Sequence, residues 1–198
     1  MPRRPPKKIR PPRKHSDPAA ELRKALVRRS KAELVEVLLE LAQADRGVLR
    51  QLTARFDVPA TSDDIVTATR QAIADATDFD EREINYNFSY DDEAYSEVKR
   101  NLDRLIDAGQ LPLAMELSLE LMNQGSYQVE SSDEGLMTED IEDCLSVVFK
   151  ALKNCELPAD EIVAWCSAML ANDRVGFIAE KPLQSLRNHF KSAAGVRR

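Results

Sequence analysis

The stretch that most constrains this chain is Asp91 to Gln124, DDEAYSEVKRNLDRLIDAGQLPLAMELSLELMNQ. Its first half places Tyr95, Val98, Leu102, Leu105 and Ile106 on one face of a 3.6-residue period, the pattern of an amphipathic helix. Ala108-Gly109 stops that helix, because glycine takes the left-handed position beyond a helix C-terminus without a Cβ penalty. Pro112 then falls in the first turn of a second helix, where a missing N–H costs nothing. The second helix carries Leu111, Leu113, Ala114, Met115, Leu117, Leu119, Leu121 and Met122 and is apolar nearly all round. A helix of that kind lies buried between neighbours, so the pair predicts further helices on both sides.

The chain supplies them. Pro18 opens a helix with Leu22, Ala25 and Leu26 on one stripe, preceded by the capping candidates Ser16 and Asp17. Ser30-Lys31-Ala32-Glu33 is a capping box, followed by the apolar face Leu34, Val37, Leu38 and Leu41. Asp45 caps a third helix with Val48, Leu49, Leu52 and Phe56 inward, ended by Val58-Pro59. Ser62-Asp63-Asp64 opens a fourth with Ile65, Val66, Thr69, Ala72, Ile73 and Ala76. These four form an N-terminal module over 17–77.

Residues 78–90 break the pattern. Ile84, Tyr86, Phe88 and Tyr90 alternate with period two, as an extended segment would. With Phe79 they predict an aromatic and acidic strap whose rings pack on the modules either side. Beyond the hairpin, Gly125 to Gly135 is expected to be an acidic loop. Thr138 then caps a helix bearing Ile141, Cys144, Leu145, Val148, Phe149, Leu152 and Cys155, and Leu157-Pro158 starts another with Ile162, Val163, Cys166, Met169 and Leu170 inward. A last helix runs from Pro182 through Leu183, Leu186 and Phe190. The C-terminal module therefore spans 91–191, with a flexible tail over 192–198.

Charge is divided unevenly. The chain's net charge is −6, yet residues 1–16 hold Arg3, Arg4, Lys7, Lys8, Arg10, Arg13 and Lys14 and no acid, leaving the remainder at −13. With its prolines and a single sizeable apolar side chain after the initiator, Ile9, that segment is predicted to be a disordered basic arm. Its seven cations suit phosphate contact by counterion release, but no aromatic is interleaved for base stacking.

Two segments resemble a known family. LRKALVRRSKAELVEVLLELAQADRGVLRQLTARF resembles a helical segment found in bacterial proteins beside SWIM-type zinc fingers, and LDRLIDAGQLPLAMELSLELMNQG resembles the tetratricopeptide-like hairpins of the same proteins. The zinc module itself would need Cys-x-Cys followed by Cys-x-His, and neither occurs, so no nucleic-acid role is carried over with it. The resemblance implies an α-helical repeat scaffold.

No motif for chemistry stands out. Cys144, Cys155 and Cys166 lack the close pairs of a zinc site and are expected in the core. His15 and His189 sit in no nucleophile motif, and the acidic clusters lack the calcium-loop pattern. Many carboxylates fall at helix starts, where the helix dipole favours them. Trp165, one position off the core stripe of its helix, and Tyr127 are the candidate partner contacts. No apolar run reaches the ~20 residues of a membrane span. No apolar leader is seen, and the thiol content fits a reducing cytoplasm.

The expected protein is all-α, a solenoid or tetratricopeptide-like bundle of antiparallel hairpins behind a basic arm. It is expected to be non-enzymatic and without a cofactor, mediating contact with a protein or peptide in the cytoplasm. The alternative is phosphate-backbone association of nucleic acid through residues 3–14. No membrane contact is expected, and the sequence is silent on oligomeric state.

Overall fold

A computed structural model describes residues 18–56 and 60–195, in which the regular structure is entirely helical. The chain divides into two compact units, 1–57 and 58–198. The arm residues Arg3, Arg4, Lys7, Lys8, Arg10, Arg13 and Lys14, the capping candidates Ser16 and Asp17, and the Val58-Pro59 stop all lie outside the described residues.

The first unit contains α1 (Pro18–Val27), α2 (Lys31–Ala44) and α3 (Arg46–Phe56). The predicted capping box is present: Ser30 Oγ accepts from the Glu33 N–H at 3.2 Å, and the Glu33 carboxylate accepts from the Ser30 N–H at 2.8 Å. These bonds hold the Glu33 carboxyl below the usual carboxylate range. Asp45 accepts from the N–H groups of Gly47 and Val48, starting α3 as expected. α2 packs against α3.

The second unit runs through α4 (Ser62–Thr77), α5 (Glu81–Tyr86), α6 (Asp92–Asp107), α7 (Leu111–Glu130), α8 (Thr138–Leu152), α9 (Ala159–Asn172) and α10 (Glu180–Gly195). α7 is its centre, packed against α4, α6, α8 and α9. The nearly all-apolar sequence of α7 thus has the neighbours it requires, and Leu117, Leu121 and Met122 are buried. Gly109, at φ +74°, makes the left-handed stop between α6 and α7. α6 also packs on α8, and α9 on α10.

Several local expectations are corrected. α4, grouped by sequence with the N-terminal helices, packs instead on α6 and α7, with Ile65, Ala72, Ile73 and Ala76 inward. Its cap is Thr61, whose side chain accepts from the Asp64 N–H at 3.2 Å while Asp64 accepts from the Thr61 N–H. Residues 78–90 do not form an extended strap. Asp80 accepts from the N–H groups of Arg82 and Glu83 and nucleates the six-residue α5. Ile84 is buried, but Tyr86 and Phe88 are exposed, so the period-two pattern came from a helix followed by a turn at Phe88, φ +54°.

The predicted loop from Gly125 is helix as far as Glu130. Gly125 is not a breaker but a point of close approach, since a Cβ there would lie 2.8 Å from Ile141 Cδ1. Thr138 does not cap α8; its hydroxyl donates to the Gly135 carbonyl at 2.7 Å. α10 begins at Glu180, before Pro182, and continues to Gly195, through part of the predicted tail.

Polar groups lock the second unit internally. The buried Tyr95 hydroxyl donates to Gln128 Oε1, and Gln128 Nε2 donates to the Ala76 carbonyl at 3.0 Å, joining α6, α7 and α4. Arg70 of α4 meets Glu116 and Glu120 of α7 at 2.6 and 3.0 Å. Lys99 of α6 pairs with Asp143 of α8. Among the described residues no helix is long and apolar enough to cross a membrane.

Candidate functional site

A cleft lies between α8 and α10. On α8 its walls are Ser146, Phe149, Lys150 and Lys153; on α10 they are Pro182, Ser185, Leu186 and His189. Both sets follow i, i+3, i+4, i+7, so each is one stripe along its helix. The cleft measures about 490 Å³, within the range of sites that hold a ligand or a few side chains.

The sequence builds this geometry locally. Asp173, at the end of α9, is buried and accepts from the N–H groups of Val175 and Ile178, at 3.1 and 2.8 Å. That fixes the turn leading into α10. Glu142 of α8 then accepts from the Ala179 N–H at 2.8 Å, tying α8 directly to the start of α10. Ala179 holds φ +50°, an uncommon conformation for a residue with a Cβ, and is buried. One backbone N–H at the head of the cleft thus has a carboxylate from the opposite wall.

Below the cleft, Phe149 and Trp165 meet edge-to-face with centroids 6.1 Å apart, and the Trp165 indole N–H donates to the Met115 carbonyl at 2.9 Å. Phe149 and Leu186 are themselves nearly buried and form an apolar floor. Lys150, Lys153 and His189 are exposed and rim it. The His189 ring stands edge-on to Phe190, with centroids 5.1 Å apart.

The rim is basic where its surroundings are not. Residues 60–195 contain 27 Asp and Glu against 11 Lys and Arg. An apolar trough edged by cations on so acidic a body offers complementarity to anionic, apolar side chains.

The two partner-contact candidates fall in separate clusters. Trp165 is in the core at 6% exposure and reaches the cleft through Phe149. Tyr127 is 48% exposed on α7, 5.9 Å from the Phe79 ring, with the Arg174 guanidinium 4.9 Å over its own ring centroid. Thr77, Asp78, Phe79, Glu81, Gln124 and Tyr127 line a shallower hollow of about 390 Å³ there. The sequence reading missed Lys150, Lys153, Pro182 and Ser185. Their signal was the matched i, i+3, i+4, i+7 spacing on two helices, visible only once those helices are known to face each other.

Cys144 and Cys166 belong to the interior, whereas Cys155, expected on the core face of α8, falls beyond its end at Leu152 and is half-buried. Burial pushes Cys144 up to about 12 and Cys166 up to about 11, both away from the reactive thiolate. Cys144 Sγ donates to the Tyr95 carbonyl at 3.2 Å, and the half-buried Cys155 to that of Leu152 at 3.3 Å. Among the described residues no group of three or more His, Cys, Asp and Glu side chains is placed to hold a metal ion. No family model, curated protein or solved structure matches this chain.

Proposed function

We propose that the protein is a non-enzymatic helical-repeat scaffold that captures an acidic, amphipathic segment of a partner protein in the α8–α10 cleft. The observation that carries this reading is the charge reversal: a trough floored by Phe149 and Leu186 and rimmed by Lys150, Lys153 and His189, on a strongly acidic body. A partner helix with apolar residues at i, i+3 and i+4 flanked by Asp or Glu would satisfy floor and rim together. The repeat reading has its own support. α6 packs on α8 and α7 on α9, contacts of the kind expected between successive tetratricopeptide-like hairpins.

A display selection of peptides against the full-length chain tests this. Enriched sequences should be acidic and amphipathic, and their affinity should fall by roughly tenfold or more with Lys150→Glu/Lys153→Glu. Enrichment of cationic peptides, or binding indifferent to those substitutions, would refute the cleft as the capture site.

A second reading rests on the seven cations among residues 3–14, with no acid beside them. If all seven engage duplex phosphates, log K should fall with log salt at a slope of about −6. Titration of labelled DNA and RNA with the full chain, and with Arg3, Arg4, Lys7, Lys8, Arg10, Arg13 and Lys14 all changed to Ser, measures that slope. Absence of binding at low salt would eliminate it.

A further inference from the structure

The first unit has helices but almost no core. Among its described residues Ala42 is the one buried apolar side chain. On α2, Val35, Val37, Leu38, Leu39 and Leu41 are all between 39% and 51% exposed. Leu22 and Val27 on α1, and Leu49 and Phe56 on α3, are exposed to between 50% and 78%.

α2 carries two apolar seams, Leu34-Val37-Leu41 and Val35-Leu38-Ala42, each at i, i+3, i+7. The two seams lie side by side and make one broad apolar face, wider than α3 covers within the unit, since Val35, Val37, Leu38 and Leu41 stay exposed. Ten large apolar side chains of α1–α3, from Leu22 to Phe56, are exposed, where an ordinary monomer surface scatters such residues singly.

Charge identifies the occupant. α2 is acidic, with Glu33, Glu36 and Glu40 against Lys31. The segments before and after it in sequence are basic: Arg23, Lys24, Arg28 and Arg29 against Glu21, and Arg46, Arg50 and Arg55 in α3, with Lys24 and Arg29 already paired to Glu21 and Glu33 within the chain. An acidic partner would complement the flanks and repel the centre, and a basic partner would do the reverse. A second copy, turned by a two-fold axis, presents its basic flanks to the acidic helix and receives the same in return, as an isologous contact requires. We propose that α1–α3 is a self-association module in which two copies of the chain bury their α2 helices in one two-fold helical bundle. This inference is independent of the α8–α10 cleft.

Sedimentation equilibrium of the full-length chain tests it. The expected mass is twice 22.3 kDa, with a concentration-dependent monomer–dimer equilibrium. Leu39→Asp/Leu41→Asp, at half-exposed positions, should weaken the dimer by on the order of 100-fold while the far-ultraviolet circular dichroism stays helical. Glu36→Lys/Glu40→Lys, which touches no apolar residue, should weaken it at low salt and less so at high salt. A chain that stays monomeric at high micromolar concentration overturns the proposal. Slow hydrogen exchange across Val35–Leu41 in that monomer would then assign the face to another segment of the same chain. A dimer unaffected by both variants overturns it too.

Discussion

Tyr95→Phe is the sharpest test of how the second unit is held together. The substitution keeps the ring, and with it the edge-to-face contact with Tyr90 at 6.2 Å, and deletes only the hydroxyl. Gln128 is fully buried, so its Oε1 would lose its donor with no water to replace it. An abandoned buried acceptor costs about 1–3 kcal/mol, partly offset because the tyrosine hydroxyl no longer has to be desolvated. The loss should lie near 1–2 kcal/mol, or roughly 2–8 °C in Tm for a unit of this size. Trp165 is the only tryptophan and is buried in the same unit, so its fluorescence reports urea unfolding of this unit alone. The midpoint should fall with the slope unchanged. Gln128→Leu should cost a similar amount, because it strips the Ala76 carbonyl, one of the last four of α4 and without a partner inside that helix. The double variant should then cost less than the two single losses together, by about 0.5 kcal/mol or more. A Tyr95→Phe protein within about 0.5 kcal/mol of the parent, or strict additivity in the cycle, would refute the bridge as a stabilising element.

Gly125→Ala should lower stability by about 1–2 kcal/mol even though alanine is the better helix former, because the new Cβ meets Ile141 Cδ1 at 2.8 Å; Ile141→Val in the same chain should recover most of the loss in the same fluorescence assay. With Ellman's reagent the native protein should release one thiol quickly, from half-buried Cys155, while Cys144 and Cys166 react only on unfolding; mass spectrometry of the labelled protein identifies the site. Alkaline stability follows from the two buried thiols and from two tyrosines. Burial raises Tyr95 well above the ordinary phenol range, and burial followed by the bond to Asp140 raises Tyr90 from 10.0 to about 12. The folded state therefore keeps protons that the unfolded chain gives up, from Cys144 and Cys166 above about pH 9 and from the two tyrosines above pH 10, so stability is full below about pH 9 and declines as the pH climbs toward 12. Urea midpoints at intervals across this range should fall, and Tyr95→Phe should flatten the fall.

What was legible in the sequence was decided by periodicity and by short-range hydrogen bonding. The α6–α7 hairpin followed from the stripe Tyr95-Val98-Leu102-Leu105 and from a glycine that holds φ +74°. Ser30 and Asp45 cap because a side-chain oxygen two or three residues ahead of an orphan N–H satisfies it whatever lies elsewhere. The errors came where a residue answers to distant neighbours. Gly125 has the composition of a stop, but its role is set by Ile141, sixteen positions later in sequence. Tyr86 and Phe88 alternate with buried Ile84 as a strand would, yet the Asp80 cap and the left-handed Phe88 backbone outweigh that alternation. Likewise α4 adjoins the N-terminal helices in sequence while its apolar face matches α6 and α7. Adjacency could not reveal that choice.

The cleft was the least legible element, for a related physical reason. Each of its walls is an ordinary exposed helix stripe, and the second is ambiguous by itself, since Pro182, Ser185, Leu186 and His189 carry no distinctive chemistry. They become a site only because the Asp173 turn and the Glu142–Ala179 bond set α10 opposite α8. Those two carboxylates are therefore positioning residues for the cleft, as Gln128 is for the core. Glu142→Gln keeps an acceptor of nearly the same shape and should leave the cleft intact. Glu142→Ala leaves the Ala179 N–H without its acceptor while α9, packed along α10, keeps the helix folded. Nitrogen–proton spectra should show the Ala179 amide and the Ser185, Leu186 and His189 amides moving together in Glu142→Ala, with Leu117 and Leu121 of the core unmoved. Movement confined to Ala179 would mean that the α9 contact alone sets the cleft, and that the carboxylate serves only its local hydrogen bond.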